Sequence, residues 1–271
     1  MATGDLQKIA KTLRKHIVEM IGKAGSGHPG GSLSAVDLMT ALYFNHHLHF
    51  DPKNPHDPQR DYFVLSKGHV CPVLYAVIAE LGGIDCEELC TLRQPGSRLQ
   101  GHPAMDKCLP GIEVSSGSLG YGLSIGSGIA LGLKTEKKSN KVYVLMGDGE
   151  QQEGSIWEAV MAAAHLKLDN LCGIVDCNSL QIDGTVREIM NVEPLKDKYA
   201  AFGWNVCEIN GHDFDAINRA YEQFKTTTGK PTAILARTIK GKGVSFMENN
   251  VEWHGKAPSP EQVASALKEL E

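Results

Sequence analysis

No apolar run in this 271-residue chain approaches the roughly 20 residues that a bilayer-crossing helix needs. No C-x-x-C pair occurs among the seven cysteines, which removes the commonest zinc and dithiol-exchange patterns. No block of like charge is present, and the formal net charge is only −5, so neither nucleic acid nor an anionic membrane surface is favoured as a partner. Internal repeats, low-complexity tracts and linker-like stretches are missing as well, and residues 1–271 parse most simply as a single domain. The opening Met1-Ala2-Thr3-Gly4-Asp5 leads into an amphipathic pattern instead of a basic and then apolar leader. These absences leave the expectation of a cytoplasmic protein with reduced, mostly buried cysteines, whose partners are small molecules and other proteins.

What is there is an ordinary globular composition, 42% hydrophobic, enough to fill a sizeable core. Leu6, Ile9, Ala10, Leu13, Ile17, Met20 and Ile21 recur at spacings of three and four, which predicts a core-facing helix ending before Gly25-Ser26-Gly27. A second helix is predicted at about 35–44, followed by a loop over 46–59. Apolar, β-branched-rich runs at 62–65, 142–146, 171–177, 204–209 and 232–238 lack strict alternation, as strands covered on both faces do. Helical stretches at 72–81, 119–133, 155–166 and 214–224 alternate with them. The pattern predicts an α/β fold with a doubly wound, mainly parallel sheet and helices on both faces. Ser259-Pro260-Glu261-Gln262, an N-cap followed by Pro and a capping-box Gln, predicts a short final helix.

Gly147-Asp148-Gly149 directly follows one predicted strand, and Asn178 directly follows the next. A single helix lies between, the length of a right-handed crossover joining parallel neighbours. Adjacent carboxyl ends lie about 4.8 Å apart, so Asp148 and Asn178 can share one cation. A carboxylate, an amide oxygen and the Leu180 carbonyl form a hard-oxygen set suited to Mg²⁺ or Ca²⁺, with water and phosphate oxygens completing the shell. Gly149 lets a phosphate approach the backbone, and the helix starting near Ser155 adds positive partial charge. Taken alone, Gly-Asp-Gly is a frequent tight turn and Asn-Ser a frequent loop; their joint placement at two strand ends is what points to a ligand site.

Four of the eleven histidines sit in glycine-bearing turns: His28 in Ser26-Gly27-His28-Pro29-Gly30, His69 in Ser66-Lys67-Gly68-His69, His102 in Gly101-His102-Pro103, and His254 before Gly255. Imidazoles on such turns can face a cleft, donate to phosphate or hydroxyl oxygens and move protons near neutral pH. His46, His47 and His49 read as surface or helix-end residues, and His16, His56, His165 and His212 as surface or packing residues. The stretch Gly117-Ser118-Leu119-Gly120-Tyr121-Gly122 has the wrong glycine order for a dinucleotide fingerprint.

Together these motifs are similar, in order and along nearly the whole chain, to the N-terminal, diphosphate-binding part of transketolases. The resemblance implies Mg²⁺ held by Asp148, Asn178 and the Leu180 carbonyl, with Ca²⁺ as a substitute. It implies thiamine diphosphate in contact with His69, Gly117, Ser118, Leu119, Gly149, Asn178 and His254. It places His28, His102 and His254 toward the sugar and the thiazolium, and Glu153 in a hydrogen bond across an interface to the catalytic Glu. The implied reaction is two-carbon ketol transfer from a ketose phosphate to an aldose phosphate. Full-length transketolases are more than twice as long and carry a pyrimidine-binding and a C-terminal domain. The chain therefore resembles the first member of a split pair, active only with a C-terminal partner subunit, in an expected α2β2 assembly. Two other readings stand beside this one: the α subunit of a 2-oxo acid dehydrogenase or of a 1-deoxyxylulose-phosphate synthase type enzyme, and a non-catalytic module retaining the fold.

Overall fold

The computed structural model describes all of residues 1–271. Helix α1 (Thr3–Ala24) buries Leu6, Ala10, Leu13, Ile17, Met20 and Ile21, and it ends at Gly25 with φ 61°, the left-handed conformation glycine adopts without strain. Two short helices follow, α2 (Pro29–Ser34) and α3 (Val36–Phe44). Next come strand β1 (Tyr62–Leu65), α4 (Cys71–Glu80), α5 (Gly122–Thr135), β2 (Val142–Gly147), α6 (Gly154–His165) and β3 (Leu171–Cys177). A hairpin of two-residue strands, β4 (Leu180–Gln181) and β5 (Gly184–Thr185), precedes α7 (Val186–Met190) and α8 (Leu195–Ala201). The chain closes with β6 (Asn205–Asn210), α9 (Phe214–Thr226), β7 (Thr232–Arg237) and α10 (Pro260–Glu269), the last opened by the Ser259/Gln262 capping box.

The main sheet has the order β1-β2-β3-β7-β6 and is parallel throughout. Its central strand β3 is buried at all seven positions, the state its unbroken apolar run requires. One face carries α3, α4 and α9 beneath α1, enclosing a core built on Leu13, Tyr75, Tyr143 and Phe224. The other carries α5, α6 and α8 around Val144, Val175, Tyr199 and Trp204. The β2-to-β3 crossover uses the second face, whereas β6 to β7, which runs the opposite way across the sheet, uses the first. Right-handed crossovers demand that exchange of faces.

After β3 the chain turns to the second face through Val186, Val192 and Leu195. After β7 it turns to the first face through Val244, Met247 and Trp253. The two departures diverge and leave a crevice at the carboxyl ends of the strands, where ligands of open parallel sheets bind.

The structure differs from the sequence expectations at several places. The Pro29-Gly30 turn is the start of α2, because Pro fits the first position of a helix. The helix anticipated from residue 119 starts at Gly122, since Gly117 (φ 147°) and Gly120 (φ 89°) hold the preceding stretch in a non-helical loop. The hairpin, α7 and α8 are too short for periodicity to reveal. His47 lies in the interior, near Asn218 and Glu222, and is not a surface residue.

Candidate active site

Asp148 and Asn178 leave β2 and β3, which pair in parallel with Gly147 opposite Asp176. Both side chains are buried, each with 6% exposure. The Asp148 carboxylate accepts the backbone N–H of Gly149 (2.9 Å) and of Ser179 (2.6 Å). Ser179 adopts φ 66°, so the turn that delivers its N–H to Asp148 is itself a left-handed kink. Asn178 Oδ1 accepts the Leu180 N–H at 3.2 Å, and the Leu180 carbonyl accepts from Lys240 Nζ at 2.9 Å. Burial, reinforced by the neighbouring Asp176, raises Asp148 to about 6 against the help of its two N–H donors. A buried carboxylate under that strain is a group that a bound cation relieves.

Beneath this pair lies the fully buried Asp176, an acid inside an apolar strand. It pairs with the buried Lys67 ammonium and accepts hydroxyl hydrogens from Ser34 and Thr238. Asn178 Nδ2 also reaches it at 3.3 Å. Burial pushes its pKa up, but the Lys67 charge and these donors outweigh burial and hold it below the carboxylate range. Asp176 therefore ties the ends of β1, β3 and β7 and helix α2 together, directly beside the Asn178 side chain. Glu150, likewise buried, accepts from Ser66 Oγ, Gly120 N and Gly147 N, and so fixes the glycine loop against the ends of β1 and β2.

The four glycine-flanked histidines converge. Ring centroids of His28 and His69 are 5.1 Å apart, those of His28 and His254 5.6 Å, and those of His28 and His102 6.5 Å; His69 and His254 stack at 5.3 Å. Close approach of the loops depends on small residues, since a Cβ on Gly68 would lie 2.9 Å from the Gly117 nitrogen. Burial, with Arg93, His102 and Lys240 nearby, lowers His28 to about 4; burial, with Lys240, His28 and Lys67 nearby, lowers His254 to about 3. These imidazoles are neutral at pH 7, and His254 Nδ1 sits 2.7 Å from the Lys240 ammonium, which leaves its Nε2–H as the free donor. His28 Nδ1 is buried without a hydrogen-bond partner.

A cleft of about 360 Å³ joins these groups. Of the sequence-predicted site residues, His28, His69, Gly117, Leu119, Asp148, Gly149, Glu153, Asn178, Leu180 and His254 line it. Ser118 and His102 stand outside its lining as exposed residues, His102 beside Gly117, where an added Cβ would touch its ring. Glu153 is exposed at the N-cap of α6 and makes no side-chain hydrogen bond within the chain. Sequence reasoning missed Lys240, Asp176, Glu150 and Arg93. Asp176 had a signal, a carboxylate in an otherwise apolar run; Lys240 and Arg93 sit in loops that only tertiary structure brings here.

Oxygen donors, a buried ammonium and neutral imidazoles at the carboxyl edge of a parallel sheet make this a cofactor-binding region of an enzyme. Residues 6–270 match the family described as transketolase, thiamine diphosphate binding domain. The chain is 47% identical over 257 residues to one of the subunits of the apulose-4-phosphate transketolase of Phocaeicola vulgatus, covering 95% of this chain and 90% of that one. It is 47% identical over 267 residues to a 6-deoxy-6-sulfo-D-fructose transketolase subunit of a Clostridium species, covering 98% and 96%. The crystal structure of transketolase from Campylobacter jejuni superposes with a TM-score of 0.93 at 37% identity, covering all of this chain but 43% of that one. The chain belongs to the transketolase family and corresponds to its thiamine-diphosphate-binding domain.

Proposed function

We propose that this chain is the diphosphate-binding subunit of a two-chain transketolase that uses thiamine diphosphate and Mg²⁺ to move a two-carbon ketol unit from a ketose phosphate to an aldose phosphate. The observation that carries the reading is the convergence of the Asp148/Asn178 pair with His28, His69 and His254 in one polar cleft. Residues 1–271 act in it as one domain. Relatives named as subunits match over 90% and 96% of their own length, whereas the chain spans under half of the Campylobacter enzyme. The pyrimidine-binding and C-terminal domains are accordingly assigned to a partner chain, in an α2β2 assembly.

Asp148, Asn178 and the Leu180 carbonyl hold the cation in this reading, which requires the Lys240 ammonium to yield the carbonyl. His69, Gly117, Ser118, Leu119, Gly149, Asn178 and His254 contact thiamine diphosphate. The diphosphate brings negative charge into a cleft where Lys67 is already neutralised by Asp176. Lys240, lowered by burial to about 8, stays mostly charged at neutral pH and supplies the remaining positive side chain. Thiamine diphosphate, when bound, provides the nucleophilic carbon and the electron sink for breaking and forming the C–C bond.

This chain's own work is orientation and proton handling. His28, His102 and His254, held neutral by burial and nearby cations, donate to or accept from sugar oxygens without placing a second positive charge beside Lys240. In this reading Glu153, exposed at the rim, hydrogen-bonds through a shared proton to the catalytic Glu of the partner chain. Titration calorimetry of thiamine diphosphate into the assembled complex tests the site: binding that depends on Mg²⁺ and on Asp148 supports it, and affinity indifferent to both removes it.

A further inference from the structure

Away from the cleft, three metal-ligating side chains meet on the helical layer of the first face. His16 projects from the middle of α1, Glu80 is the last residue of α4, and Cys86 opens the 3₁₀ turn Cys86–Thr91 that packs against both helices. His16 Nε2 lies 2.7 Å from Glu80 Oε1, Cys86 Sγ lies 3.9 Å from the same oxygen, and all three ligand atoms fall within 4.8 Å of one another. The His16 and Glu80 side chains are 19% and 29% exposed, and no lysine or arginine pairs with Glu80. Asp85 adjoins the cluster in sequence and also lacks a basic partner within 4 Å.

We propose that His16, Glu80 and Cys86 form a surface site for a thiophilic divalent cation of the Zn²⁺ type, distinct from the Mg²⁺ site proposed in the cleft and independent of that reading. Tetrahedral Zn²⁺, with bonds of about 2.0–2.1 Å to nitrogen and oxygen and about 2.3 Å to sulfur, separates its ligand atoms by about 3.3–3.6 Å. The 2.7 and 3.9 Å contacts straddle that range, and the His16–Cys86 pair, within 4.8 Å, has to close by no more than about 1.2 Å, within the reach of rotamer adjustments. A mixed imidazole, carboxylate and thiolate set selects Zn²⁺ or Co²⁺ over Mg²⁺. Water fills the fourth position. On binding, the Cys86 thiol releases its proton to solvent and the sulfur coordinates as thiolate, while His16 binds through Nε2 as neutral imidazole. The ion staples α1, α4 and the 86–91 turn, three segments otherwise joined here by the His16–Glu80 and Cys86–Glu80 hydrogen bonds and packing.

The test is titration of the metal-stripped full chain with Co²⁺ in excess Mg²⁺, followed by absorption. One equivalent is expected to give a thiolate-to-cobalt charge-transfer band that Zn²⁺ bleaches on displacing Co²⁺. Cys86→Ser should abolish the band. His16→Ala should weaken Co²⁺ by more than the ~10-fold that even an outer-shell change costs. Cys90→Ser should leave both unchanged, and circular dichroism confirms that each variant is folded. A band that survives Cys86→Ser, or folded wild-type protein that gives none, overturns the proposal.

Discussion

At the scale of single residues, the site rests on charges held where water cannot screen them. Asp148→Ala removes the only carboxylate of the proposed cation set and leaves diphosphate charge uncompensated. The expected result is loss of Mg²⁺-dependent thiamine diphosphate affinity by more than ~100-fold, read by calorimetry, since outer-shell changes alone cost about 10–100-fold. In the proposed reading His28 and His102 face the sugar, so for His28→Ala and His102→Ala kcat of the assembled enzyme should fall by ~10²–10⁴ while cofactor affinity stays within a few-fold. Burial also gives His28 a thermodynamic signature. Its folded pKa of about 4 lies below the unfolded value near 6.5, so the unfolded chain binds more protons between those limits. The His28 contribution to stability is therefore complete above about pH 6.5 and is lost as pH drops toward 4, and His28→Asn should make the acid limb shallower in denaturant titrations at stepped pH.

At the scale of elements, the strand ends position Asp148 and Asn178, and glycines let the loops approach one another beside them. The sheet was legible because buried parallel strands write unbroken apolar runs: β1 and β3 fall where residues 62–65 and 171–177 predict them. The Asp148/Asn178 pairing followed from one helix between two such runs. The hairpin at Leu180, α7 and α8 were illegible because they are too short to repeat the strand or helix period often enough to stand out. Lys240 and Arg93 were illegible because a loop cation resembles any solvated lysine or arginine until the fold brings it beside His254 or His28. Gly68→Ala tests the loop closure: its Cβ would meet the Ser116 and Gly117 backbone at 2.9 Å. Overpacking of this kind costs about 1–3 kcal/mol, and the expected outcome is a lower melting temperature together with weaker cofactor binding. Ser259→Ala, which deletes the capping box of α10 on the far side of α1, should cost about 1 kcal/mol in denaturant unfolding and leave the cofactor untouched.

At the scale of the whole molecule, the crevice is a polar half-site, lined by only three hydrophobic residues, Leu119, Leu180 and Ile182. Such a surface suits a metal-bridged diphosphate and gives little to grip an aromatic ring, which fits a partner chain that covers the other end of the cofactor. Large apolar side chains stand exposed along the same edge, among them Tyr121, Ile182, Ile189 and Met190, the composition of a face that another protein surface covers. The most direct measurement is a ketol-transfer assay with a ketose phosphate donor, an aldose phosphate acceptor, Mg²⁺ and thiamine diphosphate, run on this chain alone, on its candidate partner alone and on the two together. The split-site account predicts turnover in the mixture only. Turnover by this chain alone, or by the partner without it, contradicts the account.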